Sequence, residues 1–492
     1  MKATRQQTGN SNTTSIADSY IVHSLPAIKK TWRHTYHAMP PIGWMNDPNG
    51  FCYALGKYHL FYQFYPYGAA WNSMHWGHYT SQDFVKWQLQ PTALAPNGKA
   101  DRDGCYSGSA IEKDGKLYLM YTSVLAGRQT QSLAVSADGV KFEKLGEVIT
   151  SSDLPPDCVR SDFRDPKVFL RGGMFYALLG SMSVRDEGQI LLYRSPDLMQ
   201  WEYVNTIRRD MLTTRGIYEC PDIFRADGKD VILASPQGYE VQDWRYENMH
   251  SSIYMVGMLD VEKGVFDKEY EDEIDGGFDF YAPQTVRTPD GRIVMIAWMQ
   301  MWSRTMPTAQ HGWAGSMILP RELTLRDGKL FQSPVREIER YRWNPVSYAN
   351  VLLTEDTRLK QVCGTKVELN VTFDLGTAGK TGVRLFKSAA HEVRVYYDRA
   401  LDKVIFDRSD MGVEIACDAK ERDAYVRSVR VSVKDNRLAM RIFLDVSGCE
   451  VFLNGGERTM TGNVYSDGCD ISFFAEGGDA SILSLDKYDI VV

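Results

Sequence analysis

Asp47 stands between two amides in Trp44-Met45-Asn46-Asp47-Pro48-Asn49-Gly50. Two further carboxylates, Asp165 in Arg164-Asp165-Pro166 and Glu219 in Glu219-Cys220-Pro221, also sit just ahead of a proline. Carboxyl groups gathered in one pocket point to acid–base or nucleophilic chemistry, because like charges at close range raise one another's pKa and resist burial as a set. Proline fixes φ and restricts the residue before it to extended backbone, so Asp47 is expected to be held at the start of a strand. Two blander readings stand beside this one. Asn46-Asp47-Pro48-Asn49-Gly50 is also a good turn, and Arg164 allows an ordinary ion-pair cluster.

The elements that must position these residues show in a repeat. A glycine hairpin signal ahead of an apolar strand recurs five times, at Gly56, Gly115, Gly173, Gly228 and Gly291, a period of about 60 residues. In phase with it, Ser81-Gln82-Asp83 leads to Trp87, Ser136-Ala137-Asp138 to Phe142, and Ser195-Pro196-Asp197 to Trp201. A unit of this length holds about four strands, one propeller blade. The fold class expected is all-β: a five-bladed β-propeller over residues 31–335, a connector over 336–350 and a β-sandwich over 351–492, after a polar N-terminal extension over 1–30. The Asp327-Gly328-Lys329 echo reads as ring closure rather than a sixth blade. Unrelated hairpins in one sandwich are the alternative, but sandwich turns come every 8–12 residues or so, without a longer period.

Aligned on the residue that opens each unit, the chain reads Asp47-Pro48-Asn49, Ser107-Gly108-Ser109, Asp165-Pro166-Lys167, Cys220-Pro221-Asp222 and Ala282-Pro283-Gln284. The first strand of each blade lines a propeller's central channel, so Asp47, Ser107, Arg164 with Asp165, Glu219 and Tyr281 should meet in one funnel. Trp44, Gln63, Phe64, Tyr65, Trp71, Trp76, Tyr106, Tyr281, Trp298, Trp302 and Trp313 surround these tips. Aromatic faces with amides suit a polyhydroxylated ligand, whereas Trp87 and Trp201 read as blade packing.

Beyond Arg336-Glu337-Ile338-Glu339-Arg340, period-two alternation in Leu438, Met440, Ile442 and Leu444 marks strands with one wet face, with Asp435-Asn436 and Asn454-Gly455-Gly456 as hairpin turns. A net charge of −7 over 492 residues, with no Lys/Arg block, argues against a nucleic-acid partner. No stretch reaches membrane-spanning length and Met1 to Tyr20 carries no apolar run, so a cytoplasmic protein is expected. Eight cysteines without CxxC spacing read as reduced and mostly buried. No glycine-rich phosphate loop is present, and the dispersed histidines, His75-Trp76-Gly77-His78 included, make no metal set, so neither cofactor nor metal is expected.

Trp44 to Gly50, Tyr106-Ser107-Gly108-Ser109, Arg164-Asp165-Pro166 and Glu219-Cys220-Pro221, in this order, resemble glycoside hydrolase family 32, the invertases and other β-fructofuranosidases, and the resemblance covers the whole chain. It implies a five-bladed propeller with a C-terminal sandwich. Asp47 would be the nucleophile, Glu219 the general acid/base and Asp165 the transition-state stabiliser beside Arg164. Asn46, Gln63, Trp71, Tyr106 and Ser107 would line the fructose subsite. The family's Asn-Pro after Tyr-Gln is replaced here, Tyr65-Pro66 following Tyr62-Gln63, which bears on leaving-group contacts. The implied reaction is retaining hydrolysis of sucrose, sucrose 6-phosphate or short fructo-oligosaccharides, in which two carboxyls about 5–5.5 Å apart work in turn. Asp47 and Asp165 are expected to raise the pKa of Glu219. Fructosyl transfer, a catalytically silent fructoside-binding protein, and the inverting propeller glycosidases of arabinan or xylan are the alternatives. A phosphorylated leaving group needs a basic rim, for which Arg185, Arg245, Arg304 and His311 are candidates. A homo-oligomer through a sandwich edge is a further expectation.

Overall fold

The computed structural model describes residues 12–211, 216–421 and 423–492. The first 11 residues of the polar N-terminal extension lie outside them. The described part of that extension contains a helix, Thr14–Ser24, capped by the Thr13 hydroxyl accepting the Ile16 N–H. Asp18 on this helix accepts the Thr92 N–H at 2.9 Å.

Five sheets follow in sequence, four of them antiparallel and four-stranded and the first carrying a fifth, parallel strand. Their first strands, Gly43–Ala54, Gly104–Lys113, Cys158–Arg171, Tyr218–Ala226 and Tyr281–Arg287, contact one another around a ring. The five glycines of the repeat all occupy the left-handed φ region, in the hairpin between first and second strands, where their missing Cβ removes the steric cost. The aspartates of the second repeat close the turn to the outer strand: Asp138 Oδ1 accepts the N–H groups of Val140 and Lys141, and Asp197 Oδ1 those of Met199 and Gln200. Blades pack face to face on apolar residues. Phe61, Trp76, Leu119 and Tyr121 fill one gap and Leu178, Leu192, Ile223 and Ile232 another, with Trp87 and Trp201 packed against such clusters. Strands buried on both faces read as near-continuous apolar runs.

Two expectations change. Asp327-Gly328-Lys329 is the outer hairpin of the fifth blade, between Arg321–Arg326 and Lys329–Pro334. The ring is instead closed by Trp313–Ala314, which pairs in parallel with Gly43 and Trp44. And the residues before proline in three blades are not extended: Asp165, Cys220 and Ala282 have φ of 64°, 46° and 55°, each at a register shift of its strand. A bulge re-aims its side chain at the cost of local strain, and such strain collects at functional sites.

The residue after each proline staples inner strands to one another. Asn49 Oδ1 accepts the Gly108 N–H at 3.2 Å, and Lys167 Nζ donates to Asp222 Oδ2 at 2.7 Å. Asp222 in turn accepts from Thr285, and Gln284 Nε2 donates to the Gly108 carbonyl at 2.8 Å.

The second module packs a six-stranded sheet on a five-stranded one over a core that includes Leu369, Val395, Phe406, Ile442 and Phe473. Its edge strand, Arg342–Leu352, starts within the segment read as a connector. Asp435 and Asn436 form a tight turn, both at positive φ. All eight cysteines are free. Cys105, Cys158, Cys220 and Cys449 are buried, but Cys363, Cys417 and Cys469 are exposed, so burial holds for half of them.

Candidate active site

The inner-strand tips open into a cavity of about 430 Å³ lined by Asn46, Asp47, Gln63, Trp71, Tyr106, Ser107, Gln129, Ser161, Asp162, Arg164, Asp165, Glu219, Gln237, His250 and Trp302. Its volume lies in the range of small-ligand sites. The three carboxylates therefore meet in one place, from the first, third and fourth blades.

Asp47 is 8% exposed and Asp165 4%, which puts them on the floor. The Ser107 hydroxyl donates to Asp47 Oδ2 at 2.7 Å, while Oδ1 is buried with no hydrogen-bond partner among the described residues. Asp165 Oδ2 accepts the Cys220 N–H at 2.9 Å. The Cys220 thiol lies 3.7 Å from Asp47 Oδ2 and 3.6 Å from Asp165 Oδ2, so it touches the two aspartates. Glu219 is gripped differently. Arg164 donates to Oε1 through Nε at 3.2 Å and Nη2 at 3.0 Å, and the Tyr281 hydroxyl donates to Oε2 at 2.7 Å.

These contacts reverse the expected order of acidities. Burial and the charge of Glu219 push Asp47 up to about 6. Burial also raises Asp165, against the pull of Arg164. Glu219, though buried, is held below its ordinary value by Arg164 and by the hydrogen bonds of Tyr281 and Arg164. Like charge does act within the trio, but the guanidinium and the phenol single out Glu219 as the anion they serve.

Of the residues predicted around the ligand, Phe64, Tyr65, Trp76 and Trp313 do not line the cavity, and Tyr281, Trp44 and Trp298 stand behind its wall. Tyr281 supports Glu219. Trp44 donates from Nε1 to Asn46 Oδ1 at 2.8 Å and stacks on Trp302 at 6.2 Å between centroids. Trp298, fully buried, packs edge-on against Trp302 at 4.9 Å, so of this aromatic wedge only Trp302 reaches the cavity. Trp71, 46% exposed, stands at the mouth edge-on to Tyr106, and Gln63 Nε2 is anchored on the Cys105 carbonyl at 3.0 Å.

Sequence reasoning missed Gln129, Ser161, Asp162, Gln237 and His250. Asp162 had a signal: it lies two residues before Arg164 on one strand, hence on the same face. His250 sits on an irregular stretch outside the repeat, where its Nδ1 accepts the Gly238 N–H, and burial lowers its pKa.

One group of metal-ligating types occurs among the described residues, His34, His37 and Asp445. Its donor atoms are committed: His37 bonds Asp445 Oδ2 and Glu450 Oε1, both at 2.8 Å, and the Tyr36 N–H also reaches Asp445 Oδ2. It joins the propeller to the sandwich, away from the cavity. No helix among the described residues is long and apolar enough to cross a membrane.

Residues 37–334 match the glycosyl hydrolases family 32 N-terminal domain and residues 337–489 the family 32 C-terminal domain. A raffinose invertase of Escherichia coli is 39% identical, over 92% of this chain and 93% of its own length, and a sucrose-6-phosphate hydrolase of the same organism is 35% identical, over 90% and 92%. Among solved structures, a β-fructofuranosidase of Bombyx mori, determined with sucrose, superposes with a TM-score of 0.82 at 32% identity, over 97% of this chain and 98% of its own. The sucrose-6-phosphate hydrolase of Lactobacillus gasseri does so with a TM-score of 0.85 at 27% identity, over 97% and 99%. Two family-specific domains in order over nearly the whole chain, around a pocket of three carboxylates, carry one conclusion: the chain is a glycosidase and belongs to glycosyl hydrolase family 32.

Proposed function

We propose that this protein releases terminal β-D-fructofuranosyl residues from sucrose, sucrose 6-phosphate or short fructo-oligosaccharides, acting as a cytoplasmic enzyme on a small soluble sugar. The observation that carries the reading is the unequal treatment of three carboxylates in one pocket. Asp47, whose Oδ1 has no hydrogen-bond partner among the described residues, is the nucleophile and attacks the anomeric carbon. Glu219 gives its proton to the departing oxygen, then takes one from the water that cleaves the fructosyl ester, so configuration is retained. Asp165, beside Arg164, accepts hydrogen bonds from fructosyl hydroxyls as charge develops on the ring.

Glu219 must be protonated at the moment of attack, yet in the free site its donors favour its anion. Asp47 and Asp165, both shifted upward, are where the trio keeps its proton. Sugar hydroxyls donating to the two aspartates stabilise their charged forms. The approaching leaving-group oxygen favours a protonated Glu219, and the proton passes to it as substrate binds. Asn46, Gln63, Trp71, Tyr106 and Ser107 form the wall against which the fructosyl ring is held.

Fructose release from sucrose by the wild type, with a loss of roughly three orders of magnitude or more in Asp47→Asn, is the expected result. NMR of the first-formed anomer should show retention. An inverted product removes Asp47 as nucleophile, and chain lengthening in place of fructose release turns the reading into fructosyl transfer.

A further inference from the structure

The phosphorylation state of the leaving sugar is a question about the mouth of the cavity. Asp47 and Asp165 hold the fructosyl ring at the floor, so the leaving group extends past Glu219 towards the more exposed wall. There Asp162 presents a carboxylate whose side chain is 26% exposed. It shares a strand face with Arg164 and bonds Arg164 Nη1 at 3.3 Å and the Ser161 hydroxyl at 3.1 Å. A carboxylate has about four acceptor sites, so Asp162 retains capacity for sugar hydroxyls.

Among the described lining residues, positive charge at this wall is already spent. Arg164 is the one guanidinium among them, and it is engaged by Glu219 and Asp162. His250 is the other basic group, and burial favours its neutral form. The four candidates for a phosphate rim are placed elsewhere. Arg304 is enclosed, bonded to Asp279, Asn248 and Glu421. Arg245 pairs with Asp272 and Gln242, and His311 packs on Trp32. Arg185 is exposed on a hairpin and does not line the cavity. A phosphate at the mouth would meet the charge of Asp162 with no free cation among the described lining residues to offset it, a juxtaposition that discriminates strongly between partners.

We propose that Asp162 selects for uncharged leaving groups, accepting hydrogen bonds from the hydroxyls of the leaving sugar and repelling a phosphate, so that the substrate is an unphosphorylated fructoside such as sucrose. This rests on the fructosidase reading above.

The test compares kcat/KM for fructose release from sucrose and from sucrose 6-phosphate in wild type, Asp162→Asn and Asp162→Glu, at low and high salt. The wild type should favour sucrose by about tenfold or more. Asp162→Asn should shrink that ratio by a similar factor, and Asp162→Glu should keep it. High salt should narrow the wild-type ratio, because mouth charges are screened; loss of a merely structural contact would not behave so. A wild type that favours sucrose 6-phosphate overturns the proposal and leaves the fructosidase standing. A ratio unmoved by both salt and Asp162→Asn removes Asp162 as its source. Fructose from neither substrate overturns the fructosidase reading itself. Should Asp162→Asn fail to fold, the wild-type ratio and its salt dependence decide alone.

Discussion

Arg164 sets the charge state of Glu219, because two of its nitrogens donate to that one buried carboxylate. Its grip on Glu219 spans 55 residues of sequence, which explains what the sequence concealed. The motifs identify Asp47, Asp165 and Glu219 one by one, but which of them faces the cation depends on how blades three and four meet, and the lowered pKa of Glu219 follows from that contact together with the Tyr281 hydrogen bond. A pH profile tests it. Asp47 must be ionised to attack, and its pKa near 6 lies above the ordinary carboxylate value, so kcat/KM should fall about tenfold per unit as pH drops below about 6. Replacing Arg164 with Gln removes the nearest positive charge. Glu219 then becomes easier to protonate, which relieves the charge that raises Asp47, so the acid limb should move to lower pH, while the loss of the grip on Glu219 should drop kcat/KM at neutral pH by about 10²-fold or more. A limb that stays at the same pH in Arg164→Gln would separate the guanidinium from the nucleophile's titration.

At the scale of elements, the sequence announces the hairpins and hides the bulges. Glycines about 60 residues apart mark the turn from each inner strand, since few other residues accept left-handed φ there, and the aspartates of the second repeat mark the turns to the outer strands. Proline ahead of Lys167, Asp222 and Gln284 marks the tips correctly. Its local preference for an extended predecessor, however, is overridden at Asp165, Cys220 and Ala282 by the register shifts that aim those tips into the channel. Closure was harder to see, because Trp313–Ala314 is two residues long and pairs with the start of the chain's first strand, a contact without period. Gly315, next to it, has φ of 89°, and a Cβ there would lie 2.0 Å from the Met45 carbonyl oxygen and 3.2 Å from Trp298 Nε1. Gly315→Ala should therefore force apart the closure and the Met45-Asn46-Asp47 segment. The expected cost is on the order of 3 kcal/mol in denaturant unfolding, together with a lower kcat from a displaced nucleophile. Unchanged stability would show that the closure yields without strain.

The whole molecule is held together by charges that have left water. Arg321 in the fifth blade bonds Asp275 at 2.9 Å and Glu450 of the sandwich at 2.6 Å with all three fully enclosed. Arg408 of the sandwich reaches Asp279 at 2.6 Å. His37, ahead of the first blade, lies between Asp445 and Glu450. Removing one partner of such a pair leaves a buried charge uncompensated, typically at a cost of about 3–5 kcal/mol. Two modules that the sequence separates by a change of periodicity are thus fastened through side chains no periodicity reveals, and the junction carries a pH signature. Burial alone would lower His37, but hydrogen bonds to Asp445 and Glu450 and their charges raise it to about 9; His34 beside it is pushed down to about 4 by burial and stays neutral. A histidine whose folded pKa lies above its unfolded value of about 6.5 contributes stability that is complete below that value and is lost as pH rises through about 9. The melting temperature should accordingly fall between pH 7 and 9.5 or so in the wild type. In His37→Gln it should start lower and fall less over that window, because the titrating cation is gone while Asp445 and Glu450 remain charged. Parallel Tm–pH curves for the two proteins would show that the protonation of His37 does not bind the sandwich to the propeller.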